Sequence, residues 1–158
     1  MKKNILLTLI GFFLMFGLMP TAHSQEASGK FQEVYKVPGM SKDQIYTQAL
    51  TWTADSFADA KEVIQMKDRD AGRIVGKGVT YYKQRGSFMA NTPAEFTMII
   101  ECKDGRYRVT FKDFFALSSI AGRLKVTNSS YLNQLHEKCR SLAADLYTYM
   151  KKASKDDW

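Results

Sequence analysis

The chain has 158 residues, of which 45% are hydrophobic and 25% charged, with a formal net charge of +7. That length supports one domain with a packed core of its own. The basic balance points to anionic partners such as nucleic acid, lipid headgroups or acidic proteins, and the composition excludes a chain dominated by low-complexity sequence.

Met1-Lys2-Lys3 is a basic opening, residues 5–19 are apolar, and Ala22-x-Ser24 is a small-x-small cleavage site before Gln25. The apolar run is shorter than the roughly 20 residues a spanning helix needs. Residues 1–24 are therefore expected to be a signal peptide cleaved between Ser24 and Gln25. The product is periplasmic or secreted, with no transmembrane span in the mature chain; an uncleaved anchor is the alternative. Cleavage removes His23 and leaves His136 as the one histidine. A multi-histidine zinc site is thereby excluded.

Residues 25–30 are small and polar, a flexible leader to a single domain over 31–150. Residues 31–37 alternate in the manner of a strand, and Pro38-Gly39 ends it. Ser41 with Gln44 forms a capping box for a helix whose apolar stripe runs through Ile45, Ala49 and Trp52 and which ends near Asp59. Residues 61–67 and 73–83 read as strands around a turn at 68–72, and 84–93 as a mobile loop. Asp104-Gly105 between 95–103 and 106–114 is a strong hairpin signal. A two-residue turn there places Cys102 opposite Tyr107, Ile100 opposite Val109 and Met98 opposite Phe111 on the core face. Glu101 then faces Arg108, and Thr97 faces Lys112, on the other. Residues 115–128 carry no assignable signal. A last helix, capped by Asn128 or Ser129, repeats Leu132, Leu135, Cys139, Leu142 and Leu146 on one face, and 151–158 is a polar tail.

The order β-α-β-β-β-β-α implies an α+β domain, an antiparallel sheet of about five strands with two helices on one face. Three segments, VYKVPGMSKDQIYTQALTW (34–52), DRDAGRIVGKG (68–78) and ECKDGRYRVTFKDF (101–114), together resemble an exported bacterial family. It is best represented in Bacteroidetes and known as domain of unknown function 4468 with a TBP-like fold. The resemblance implies a compact sheet-and-helix domain with no assigned activity, and it brings no catalytic residues to carry over. A shape shared with a DNA-binding protein does not confer that function.

No motif for a cofactor or metal is complete. The stretch DAGRIVGKGVTYY (70–82) has glycines beside Lys77, but a phosphate loop needs G-x-x-x-x-G-K-[ST] followed by a helix. Here Gly78 follows Lys77 and a strand comes next. A turn at Gly72, and a strand whose Gly76 and Gly78 admit a close neighbour, explain the same residues. Asp68-x-Asp70-x-Gly72 opens like a calcium loop, yet position twelve is Val79 where the loop needs Glu. His136 is expected at the border of the last helix's buried stripe. Cys102 and Cys139 are an even pair, expected to be bridged in an oxidising compartment; two buried free thiols are the alternative.

Charge distribution is the feature that rises above background. Residues 67–125 carry twelve basic and six acidic side chains. Lys77, Arg106, Arg108 and Lys112 are the candidate binding residues on a basic sheet face; a merely solvated face explains the same charges. The leading expectation is an exported, non-enzymatic module without cofactor. It would bind an unknown protein or an anionic envelope component through the open sheet face or the 84–94 loop. The alternative is an envelope hydrolase, for which Asp68, Asp70, Glu95 and Asp113 would have to supply two converging carboxylates. Export disfavours nucleic acid as the partner.

Overall fold

The computed structural model describes residues 29–57, 64–84, 86 and 91–154. The expected signal peptide, most of the leader, the middle of the 84–93 loop and the last four residues of the tail lie outside them. Six strands and two helices follow in order: β1 (Lys30–Lys36), α1 (Lys42–Ser56), β2 (Ile64–Asp68), β3 (Arg73–Lys83), β4 (Asn91–Lys103), β5 (Arg106–Ser118), β6 (Gly122–Lys125) and α2 (Ser129–Ala153). All pairings are antiparallel, in the spatial order β1-β5-β4-β3-β2, with β6 also on β5. β1 takes residues 106–112 of β5 and β6 takes 115–118, so the two lie end to end along one side of β5. The helices pack on each other and on the same face of the sheet. This is the α+β sheet expected, with a sixth strand added.

Local chemistry sets each boundary. Ser41 Oγ accepts the Gln44 N–H (3.3 Å) and Gln44 Oε1 accepts the Ser41 N–H (2.8 Å), closing the capping box at α1. Asp104, in the β4–β5 turn, accepts the Lys42 N–H at 2.7 Å, so the hairpin itself finishes the helix cap. The helix stops at Ser56, short of Asp59, because Phe57 turns extended and sets its ring edge-on to Trp52. Asn128 caps α2 by accepting the Ser130 and Tyr131 N–H groups. Leu132, Leu135, Cys139 and Leu146 are buried along α2 as expected, joined by Ala143 and Met150. Leu142 is half-buried, since a period of 3.6 residues drifts from alternating steps of three and four. Trp52 Nε1 donates to Asp145 Oδ2 (2.8 Å) and ties the two helices together.

The β4–β5 register follows the hairpin: Cys102 opposes Tyr107, Ile100 opposes Val109, and Met98 opposes Phe111. It holds as far as Thr97–Lys112. There Phe96 faces two residues, Asp113 and Phe114, a β-bulge with Asp113 at φ +57°. The extra residue reverses the alternation, so Phe111 and Phe114, three apart, both point into the core against Phe96. It also explains the unassigned stretch after 114. β5 continues to Ser118, turns, and returns as β6, with its inside and outside positions exchanged relative to the first half.

Candidate functional site

The face of the sheet away from the helices is built in cross-strand rows, each set by the register. Nearest the β4–β5 turn, Lys36, Arg106 and Lys103 stand directly opposite one another on β1, β5 and β4. The next row is Val34, Arg108, Glu101, Arg73 and Asp68. Beyond it run Gln32, Thr110, Ile99 and Val75, then Lys30, Lys112, Thr97 and Lys77. The first two rows enclose an open cavity of about 350 Å³ lined by Val34, Glu101, Lys103, Arg106, Tyr107 and Arg108.

Electrostatics distinguish the members of the cavity. Arg108 is held by Glu101, through Nε at 2.8 Å and Nη2 at 2.7 Å to the same oxygen. Lys36, Lys103 and Arg106 make no ion pair with the described residues. Like charges directly opposed across strands cost folding free energy, of order 0.2–1 kcal/mol per pair. A row of three exposed cations therefore sets up a positive field that an anion relieves.

The four cations expected on this face all lie on it, but not in one place. Arg106 and Arg108 line the cavity. Lys112 is six residues further along β5, roughly 20 Å at strand rise, and pairs with Asp113 at 3.4 Å. Lys77 shares the Lys112 row and pairs with Glu95 at 3.5 Å. Lys103 and Lys36 complete the first row in their stead. Lys103 was accessible from sequence, because a two-residue turn places 103 opposite 106. Lys36 needed the β1–β5 pairing, a contact seventy residues apart in the chain that no local pattern reveals.

Three of the four carboxylates proposed for hydrolysis, Asp68, Glu95 and Asp113, are held by a turn amide or by basic side chains. Asp68 accepts the Ala71 N–H (2.8 Å) within the β2–β3 turn, and the Asp70 carbonyl accepts Lys42 Nζ (2.9 Å). Glu95 sits between Lys77 and Arg123, and Asp113 belongs to the bulge. Among the described residues no group of three or more His, Cys, Asp or Glu side chains is placed to hold a metal. His136 lies half-buried between the rings of Phe31 and Phe114, 5.8 Å from each. The glycine-rich stretch forms the β2–β3 turn and β3. Gly72 takes φ +63° where a side chain would meet the Cys102 carbonyl, and Lys77 points to the outer face.

A family model described as a domain of unknown function (DUF4468) with TBP-like fold matches residues 31–115. The chain belongs to that family. The matched stretch runs from β1 through the bulge, and so takes in the whole first row and cavity. Solved structures with a similar fold include the following two. A DUF4468 family protein from Bacteroides ovatus is 19% identical with a TM-score of 0.57, covering 81% of this chain and 86% of that one. A TBP-like protein from Parabacteroides distasonis is 14% identical with a TM-score of 0.59, covering 82% and 94%. At these identities the likeness shows the fold alone. No curated protein matches the chain. Among the described residues of the DUF4468 domain no helix is long and apolar enough to cross a membrane.

The expected bridge between Cys102 and Cys139 is not formed in the structure; both are buried free thiols. The reason lies in how α2 crosses the sheet. Cys102 shares a row with Tyr107 and Tyr35, and the α2 residue that reaches this row is Tyr147, stacked on Tyr35 at 4.9 Å. Cys139 lies two turns earlier, beside Arg140, which reaches Phe31 and Glu33. Burial pushes each thiol up to about 12, with Glu101 adding to the effect at Cys102. Neither is a nucleophile at neutral pH.

Proposed function

We propose that this DUF4468 domain is an exported, non-enzymatic binding module. It holds an anionic envelope component, or an acidic patch of a partner protein, on the outer face of its sheet at Lys36, Lys103 and Arg106. The observation that carries the reading is the row of three directly opposed cations without a carboxylate partner among the described residues, beside a cavity with an apolar wall at Val34. Arg108, fixed by Glu101, presents its remaining N–H donors to the same space. Lys112 and Lys77, already paired, extend the positive field along the face without belonging to the pocket. Export rests on the basic, apolar and small-residue order of residues 1–24. The engagement of Asp68 by a turn amide, and of Glu95 and Asp113 by basic side chains, argues against a two-carboxylate hydrolase. Tyr81, the exposed ring among the described large apolar residues, lies outside the Lys36–Lys103–Arg106 row, which argues against single-stranded nucleic acid there, since that ligand needs stacking platforms.

Retention on a heparin column, a generic polyanion, tests the site. The wild-type protein is expected to be retained and to elute earlier as salt rises. A Lys103→Glu/Arg106→Glu variant should pass through near the void while keeping its far-UV circular dichroism spectrum. A Lys138→Glu/Lys152→Glu variant, with the same charge change on α2, should still be retained. Equal retention of the two variants would show that net charge alone governs binding and would refute the site.

A further inference from the structure

The end of the sheet opposite the cation row carries a different surface. There β5 and β6 form a hairpin, and at its tip Ile120 is 98% exposed, the most exposed large apolar residue among those described. The tip is ordered. Ser118 Oγ accepts the N–H groups of Ile120 (3.3 Å) and Ala121 (3.1 Å), and Gly122 turns the chain back at φ +70°. An isoleucine at a slack loop tip can fold back onto the domain; this one is held outward by its own turn.

The surroundings of the tip fit one kind of surface. Leu124 on the hairpin is about half exposed, as are Val79 and Tyr81 at the same end of β3. Between Phe114 and His136 the chain holds Arg123 and Lys125 and no carboxylate. Lys83 stands at the end of β3, and the nearby Glu95 is neutralised by Lys77 and Arg123, while Arg123 also lies over the Phe115 ring at 3.7 Å. An apolar tip on a hydrogen-bonded turn, a tyrosine and shoulders of one sign match the layers of a lipid interface: hydrocarbon, headgroup and anionic surface. Ile120 at the hairpin turn is 98% exposed, and a fluid phase accommodates such a tip without a preformed pocket.

We propose that the β5–β6 hairpin is a membrane-contacting wedge, inserting Ile120 at the boundary of headgroups and acyl chains of an anionic bilayer with Lys83, Arg123 and Lys125 at headgroup level. One apolar tip and a few cations give reversible contact, well short of permanent anchoring. The wedge is independent of the cation row and leaves that row facing away from the tip along the sheet.

The experiment is co-sedimentation of the protein, purified from cells expressing the full chain, with vesicles of 30% phosphatidylglycerol in phosphatidylcholine and with pure phosphatidylcholine vesicles. Wild type should bind the anionic vesicles more tightly, and less so as salt rises. Ile120→Asp is expected to lower the partition coefficient at least ten-fold, and Lys83→Gln/Lys125→Gln about five-fold per cation. Both variants change only exposed side chains and should keep the wild-type melting temperature. Lys103→Glu/Arg106→Glu should lose heparin retention while weakening vesicle binding no more than Lys138→Glu/Lys152→Glu, which makes the same charge change, and Ile120→Asp should keep heparin retention. Vesicle binding that survives Ile120→Asp but fails in Lys103→Glu/Arg106→Glu would overturn the wedge and assign lipid to the row instead. Absence of vesicle binding, or a concentration-dependent dimer abolished by Ile120→Asp, would overturn it in favour of a protein contact.

Discussion

Gly78 illustrates how one residue joins the sheet to the helical layer. A Cβ built there would lie 2.5 Å from Phe96 Cζ and 3.0 Å from Phe57 Cε1. Phe96 is itself fixed between Phe111 and Phe114, so its ring has nowhere to retreat. The glycine that looks like part of a phosphate loop is instead the recess into which an aromatic side chain fits. Gly78→Ala is expected to cost about 1–3 kcal/mol, the usual penalty for overpacking. Urea unfolding of the variant should show a lower midpoint at unchanged slope; a midpoint equal to wild type would mean that the Phe96 ring yields freely.

Single elements are closed by distant ones. α1 begins with a local capping box, which needs only Ser41 and Gln44, yet its first amide is satisfied by Asp104 from a hairpin tip 62 residues away. The same turn accepts and donates backbone hydrogen bonds with Val37 and Met40, so β1, α1 and the β4–β5 hairpin meet at one corner. Replacing Asp104 with Ala should therefore cost about 1 kcal/mol, as for the loss of an N-cap, and Asp104→Asn should recover much of it by offering a carbonyl to the same N–H. Thermal melts of the two variants, read side by side, test this; equal losses would place the effect in the carboxylate's charge rather than its hydrogen bond. At the other end of β5 the bulge at Asp113 has the larger consequence. It lets Phe111 and Phe114 both enter the core, and it carries the strand past the point where alternation breaks.

At the scale of the whole molecule, one buried layer between sheet and helices holds both thiols, and this ties stability to alkaline pH. Folding raises each cysteine from its ordinary value near 8.5–9 to about 12, so the native state keeps protons that the unfolded chain releases. The contribution is complete below the unfolded value and is lost as pH climbs toward 12. Denaturation midpoints are expected to fall over that window, less steeply in a Cys102→Ala/Cys139→Ala variant. A thiol reagent at pH 8 should label neither cysteine in the folded protein and both after denaturation without reductant. Failure to label both in the denatured, unreduced protein would establish a disulfide.

Sequence alone determined those features whose signals are local. The capping box, the Asp104-Gly105 hairpin, the bounds of β3 and the alternation that sorts Glu101 and Arg108 from Cys102 and Tyr107 are written within a few residues of one another. Arg106 and Arg108 were legible as outward cations for that reason. Tertiary structure decided whatever depends on pairing between distant segments. It set Lys36 beside Arg106, brought Tyr147 instead of Cys139 to the row of Cys102, and separated Lys77 and Lys112 from the cavity. The sixth strand fell between the two kinds. Its residues are local, but a single left-handed aspartate shifts the alternation by one, and a period-two pattern read through a bulge cancels itself.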